Sequence, residues 1–192
     1  MLRSIPLLML LTSCFVVAAM SPAFADPATA EKSETVSVFG EVTMQIPADF
    51  KRVKPQSMIL EHEFQASEGE GDDAKVARVT MMASGGGVQP NIARWKGQFT
   101  GGDDAAKKVE VMDAGQWKIH VVDTNGNFSE RMGGGPFAGG KVVNRKDYGM
   151  TGAILESPTG KLFFVKMIGP QSTVKANRDA FLKMVKSIEK SE

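Results

Sequence analysis

A two-residue period governs most of this chain. Val36, Val38, Val42, Met44 and Ile46 fall on even positions, with Ser37, Glu41, Thr43 and Gln45 between them. That alternation predicts a strand with one wet face, broken by a hairpin at Gly40. Pro47 and Pro55 bracket a connecting segment. Met58, Leu60, His62 and Phe64 then alternate with Ile59, Glu61, Glu63 and Gln65, which predicts a second strand. After a charged turn over residues 68–73, Ala77, Val79, Met81 and Ala83 make the inward stripe of its hairpin partner.

At Gly85-Gly86-Gly87 the alternation stops and the period lengthens. Pro90 suits the first turn of a helix, and Ile92, Trp95 and Phe99 recur at helical spacing until Gly101-Gly102. Val109 and Val111, the Asp113-Ala114-Gly115 turn, and Trp117, Ile119 and Val121 predict another hairpin. Residues 132–141 form a loop rich in Gly and Pro. Residues 148–155 and 162–168, joined at Ser157-Pro158-Thr159-Gly160, are the most apolar pair and belong at the sheet centre. Gly169-Pro170 ends that pair. Ser172 can cap a last helix, whose Val174, Phe181, Met184, Val185 and Ile188 share one face. The pattern predicts a single α+β domain over residues 36–190: an antiparallel sheet of about seven strands covered by two helices.

The first residues read differently. Residues 1–25 have the form of a signal peptide: Arg3, an apolar run from Ile5 to Met20, and Ala23-Phe24-Ala25 just before Asp26. The run is shorter than the ~20 apolar residues that span a bilayer. Leu11-Thr12-Ser13-Cys14 resembles a lipobox, so a lipid anchor at Cys14 is the alternative, although Phe15 to Met20 is more apolar than such a site prefers. Residues 26–35 carry little to bury and read as a flexible leader. The expected location is periplasmic or extracellular, as an exported protein of 167 of the 192 residues.

Losing Arg3 with the leader leaves 22 basic against 22 acidic residues, a balance that argues against nucleic acid or an anionic membrane as the main partner. Cys14 is the only cysteine and departs too, which excludes a disulfide or thiolate chemistry from the mature domain.

The order of strand, Pro47-x-x-Phe50-Lys51, hairpin, helix, hairpin, Gly-rich loop, hairpin and C-terminal helix resembles the PsbP-like fold. That fold is an α/β/α sandwich first known in an extrinsic photosystem subunit and shared by a yeast Ran-binding protein. More closely, residues 85–99, 133–141, Asp147-Tyr148-Gly149-Met150 and residues 163–170 are similar to segments of a family of uncharacterised secreted bacterial proteins. The resemblance covers roughly residues 36–189. It implies a fold and no function, because no binding residue of the photosystem protein has a match here.

Chemistry-bearing candidates are few. The glycines before Asn91 can bring backbone N–H groups close to an anion at a helix start. No Gly-Lys-Ser/Thr follows, however, and Pro90 removes a donor, so a plain crossover is the preferred reading. Glu61-His62-Glu63 looks metal-like until strand geometry sends His62 away from the two glutamates. His62 and His120 could share a zinc site only if both met on one sheet face. Ser84, His120 and Asp123 could form a triad, though Ser84 lacks a nucleophile elbow. Met44, Met58, Met81, Met82, Met112, Met132, Met150, Met167 and Met184 are spread through the elements as core filler rather than gathered as copper ligands.

Trp95 is expected inward, with Arg94 and Lys96 wet. Phe137, in the middle of the Gly-rich loop, is a candidate contact residue. These residues point to a ligand or partner surface of Gly86, Gly87, Asn91, Arg94 and Phe137, with no catalytic group, cofactor or metal expected. Three functions remain in play: a non-catalytic binding or assembly module of the bacterial cell envelope, a metal-assisted or serine hydrolase using His62 or His120, and a carrier of an apolar small ligand.

Overall fold

The computed structural model describes residues 34–132 and 141–190. Residues 1–25 with Cys14, most of the expected leader, and residues 133–140 with Phe137 lie outside the described residues. In chain order the elements are β1 (Glu34–Val38), β2 (Val42–Ile46), β3 (Lys51–Val53), β4 (His62–Glu68), β5 (Lys75–Ser84), α1 (Val88–Lys96), β6 (Phe99–Thr100) and β7 (Lys108–Ala114). Then follow β8 (Trp117–Met132), β9 (Lys141–Glu156), β10 (Leu162–Pro170), α2 (Gln171–Lys186) and β11 (Glu189–Lys190).

Among the described residues the class is α+β, with two α-helices and a sheet of eight strands. That sheet runs β3-β4-β5-β10-β9-β8-β6, with β7 also paired to β8, and every pairing is antiparallel. The most apolar pair, β9 and β10, does take the middle. The first predicted strand does not join this sheet. It folds at Phe39-Gly40, both with positive φ, into the β1–β2 hairpin, and β11 completes a separate three-stranded sheet.

Alternation along each strand divides the apolar side chains between two faces. One face carries Phe64, Val79, Met81, Leu155, Phe163 and Val165 and packs against Phe181 and Val185 of α2 and Met44 of the small sheet. The opposite face carries Val122, Met150, Ile154, Leu162 and Phe164, and among the described residues it is met by Ile92 and Trp95 of α1, with Phe99 of β6 behind them. The second face is therefore covered over part of its width. Among the described residues no helix is long and apolar enough to cross a membrane.

Several expected boundaries move, each for a local reason. The second strand begins at His62, because residues 57–60 turn first: the Leu60 N–H donates to the Ser57 carbonyl at 3.1 Å, leaving Met58 and Ile59 exposed. Helix α1 begins at Val88 and stops before Phe99, which enters the two-residue β6. On β7 the stripe is inverted. Val109 and Val111 are exposed, while Glu110 turns toward Arg178 of α2 at 3.2 Å, so an ion pair decides the face. Ser172 does not cap α2; its hydroxyl donates to Glu68 at 2.7 Å and ties the helix to β4.

The feature least visible beforehand is the length of β8 and β9, 16 residues each. Their pairing shifts register between Gly126 and Phe128. Gly126, at φ +132°, lets β8 pass so close to Thr100 that a Cβ would lie 2.4 Å from its carbonyl oxygen. Beyond this bulge the two strands continue as a pair of arms.

Candidate functional site

Where α1 leaves the second face bare there is a basin of about 400 Å³. Its floor is the outward row of β4, β5 and β10: Glu63, Arg78, Thr80 and Lys166 among them. The arms supply Phe128, Glu130, Arg145 and Tyr148, and Gln98 enters from the end of α1.

Strand register sets the distances. Glu63 lies opposite Thr80, Thr80 opposite Lys166, and Lys166 opposite Gly152. Glu63 and Lys166 are thus two strand spacings apart, about 10 Å at 4.7–4.9 Å each. Glu63 is buried, and it is held instead by Arg78, whose Nε donates at 2.6 Å and whose second donor reaches it at 3.2 Å. The Gln56 N–H adds a bond at 2.8 Å. Burial pushes the Glu63 carboxyl up, but Arg78 and this N–H outweigh it, so the group sits below the usual carboxylate range. Glu130 stands 3.5 Å from Arg145, whose guanidinium lies over the Tyr148 ring.

Lys166 has no such partner among the described residues; none of their ion pairs includes it. The reason begins at Gly152. A Cβ there would stand 2.7 Å from Cζ3 of Trp95, so only a glycine lets the indole settle on the strand. Seated there, Trp95 roofs the neighbouring Lys166, with Nζ 5.5 Å from the ring centroid. Burial, then the positive charges of Arg94 and Arg78, push the amine down to about 8, against a smaller opposing pull from Glu130. The basin therefore holds one ammonium with no carboxylate beside it.

Of the residues singled out from sequence, Phe137 lies outside the described residues, and Gly86, Gly87, Asn91 and Arg94 are placed elsewhere. Gly86 and Gly87 border a separate shallow cleft with Phe39 and Lys161. Asn91 is buried, and its amide is spent on the loop: Nδ2 donates to the carbonyls of Gly85 at 2.8 Å and Gly87 at 2.6 Å. Its Oδ1 accepts from Arg94 at 2.7 Å. Asn91 and Arg94 thus form a brace for the glycine crossover. Asn91→Ala should cost about 1–2 kcal/mol by urea unfolding, the range for a lost buried hydrogen-bonding group. A loss within experimental error would show that the glycines hold their shape alone.

The histidines do not meet. His62 faces the small sheet, where its Nε2 is 3.4 Å from the Ser37 carbonyl oxygen. His120 is on the other face, 3.1 Å from Glu156. Asp123 points away from His120 and binds Thr151 and Arg178, so Ser84, His120 and Asp123 are not assembled either. No cluster of three His, Cys, Asp or Glu side chains suited to a metal occurs among the described residues.

The sequence reading passed over Lys166, Arg78, Arg145 and Gln98, and weighed Glu63 only as a metal ligand beside His62. One signal was present: Lys166 is the sole charged residue between Leu162 and Ile168, in the most apolar strand of the chain. No protein-family model matches this chain, and no curated protein matches it.

Proposed function

We propose that the protein is a non-catalytic binding module of an exported compartment, and that it holds a small organic anion in the basin beside α1. The observation that supports this reading is the position of Lys166, an ammonium roofed by Trp95 with no acidic partner. A lysine in that setting costs stability, and perturbed groups of this kind gather at functional sites. The basin volume falls within the range of small-molecule sites. Its mixed lining, with three cations and two carboxylates, suits an anion better than a wholly apolar cargo.

The reading carries a pH signature. Lys166 faces Arg78 of β5, Arg94 of α1, Glu130 of β8 and, across Thr80, the Glu63–Arg78 pair; of its own charge, only the protonated form attracts an anion. Affinity for a carboxylate should therefore be full near pH 7 and fall as pH rises through about 8. Titration calorimetry of the whole protein with a panel of small carboxylates, at pH 6.5, 7.5 and 9, measures this. Lys166→Met should weaken binding by about tenfold or more, the scale of a charge-assisted bond. No carboxylate bound, or equal affinity in the variant, removes the proposal.

We also infer that the layers form a PsbP-like sandwich. Its support is the order of the elements along the chain, with α1 and α2 on opposite sheet faces. An experimental structure with both helices on one face would end that inference. Export is read from residues 1–25, and a protein that keeps residues 1–25 and stays in the cytoplasm would count against it.

A further inference from the structure

Two features of the basin narrow the anion further, and both rest on the reading just given. The first is charge. Arg78 is answered by Glu63 and Arg145 by Glu130, so the lining carries one uncompensated positive charge, on Lys166. Arg94 lies outside the lining and is engaged by Asn91. One negative charge neutralises the site, whereas a dianion would leave a surplus in a partly dry cavity.

The second feature is Gln98. Its backbone is fixed on both sides: the N–H donates to the Trp95 carbonyl at 3.2 Å, and the carbonyl accepts from the Ser129 N–H at 3.1 Å. The side chain is thereby held in the basin wall between α1 and the β8 arm. Its Oε1 is buried with no donor among the described residues, and because Gln98 lines the basin, a turn of its side chain brings that oxygen to a bound group. An amide end left so is costly, and a bound group that satisfies it gains affinity. A hydroxyl suits the place, since it both donates and accepts. Beside these polar groups the lining has one apolar patch: the Phe128 and Tyr148 rings, parallel with centroids 6.2 Å apart, and Val76 and Ile168 on the floor.

We infer that the basin takes a small hydroxy-monocarboxylate with a compact apolar arm, its carboxylate at Lys166 and its hydroxyl at Gln98. The cavity equals about a dozen water volumes at ≈ 30 Å³ each, which suits a ligand of about that many non-hydrogen atoms.

Mandelate, phenylacetate, benzyl alcohol and phenyl phosphate separate the contributions, since they keep one ring and change the hydroxyl and the charge. By calorimetry at pH 7, one enantiomer of mandelate should bind the wild type about tenfold tighter than phenylacetate, the scale of one satisfied buried hydrogen bond. Benzyl alcohol and phenyl phosphate should bind more weakly than mandelate. In Gln98→Met, which keeps the side-chain length, the advantage over phenylacetate should disappear while phenylacetate still binds. Equal wild-type affinity for mandelate and phenylacetate overturns the hydroxyl assignment and leaves the anion basin standing. Tighter phenyl phosphate overturns the single-charge argument. If no anion binds at all, the underlying basin reading fails. The comparison within the wild type keeps the test valid even if the variant does not fold.

Discussion

Trp95→Ala should destabilise the domain by about 3–5 kcal/mol, the usual cost of truncating a buried tryptophan. Trp95 is 1% exposed and meets Phe164 edge to face, with centroids 5.1 Å apart. Helix α1 has nine residues, too few to persist alone in water. Its attachment to the sheet rests on Ile92 and Trp95. The indole Nε1 has no hydrogen-bond partner among the described residues, so its removal strands no polar group. What is lost is burial and the fit over Gly152. Gly152→Ala should act through the same contact from below. Its Cβ would displace the ring, costing about 1–3 kcal/mol as overpacking does. Urea unfolding followed by circular dichroism measures both. A loss below about 1 kcal/mol for Trp95→Ala would mean that α1 is not docked as described, and the roof over Lys166 would go with it.

How far this arrangement could be read in the chain depended on the range of the interactions involved. The stripes of Ala77, Val79 and Met81, and of Val174, Phe181 and Val185, are local periodicities facing a continuous core, and they were legible. The stripe of Val109 and Val111 misled, because Glu110 is drawn inward by Arg178, 68 residues away. Met58 and Leu60 misled similarly, since alternation says nothing about the turn that Ser57 closes.

The basin was harder still. Apart from Lys166, alone among apolar neighbours, each residue in it has an ordinary neighbourhood in sequence, and only the β4-β5-β10 register puts Glu63, Thr80 and Lys166 in one row. Asn91 and Arg94 were visible as polar residues beside glycines, but a sequence does not say whether an amide serves a ligand or its own loop. Gly152 gave no signal at all. Its importance is the shape of an indole from another element.

Lys166→Met should make the protein more stable at pH 7 while weakening its affinity for anions by about tenfold or more. The amine is displaced from its ordinary 10.5 to about 8 in the folded state. Between those values the unfolded chain binds more protons than the folded one, so stability rises with pH across that window. Below pH 8 the penalty is present in full, and above about 10.5 it has vanished. The whole shift corresponds to about 3 kcal/mol at 1.36 per unit. Partial contact with water brings the expected gain nearer 1–2 kcal/mol, or roughly 2–8 °C in Tm for a domain of this size. Methionine keeps the apolar stem beside Trp95, so the comparison isolates the charge.

Thermal unfolding of both proteins from pH 6 to 10.5 should show a gap that is widest near neutrality and closes at the alkaline end. A bound carboxylate should narrow it from the other side, because it stabilises the wild type more. A chain that keeps a destabilising ammonium in an open basin gives up stability for something the ammonium does. If the variant is less stable at pH 7, or the gap is indifferent to pH, Lys166 is an ordinary solvated lysine and the basin has no claim on an anion.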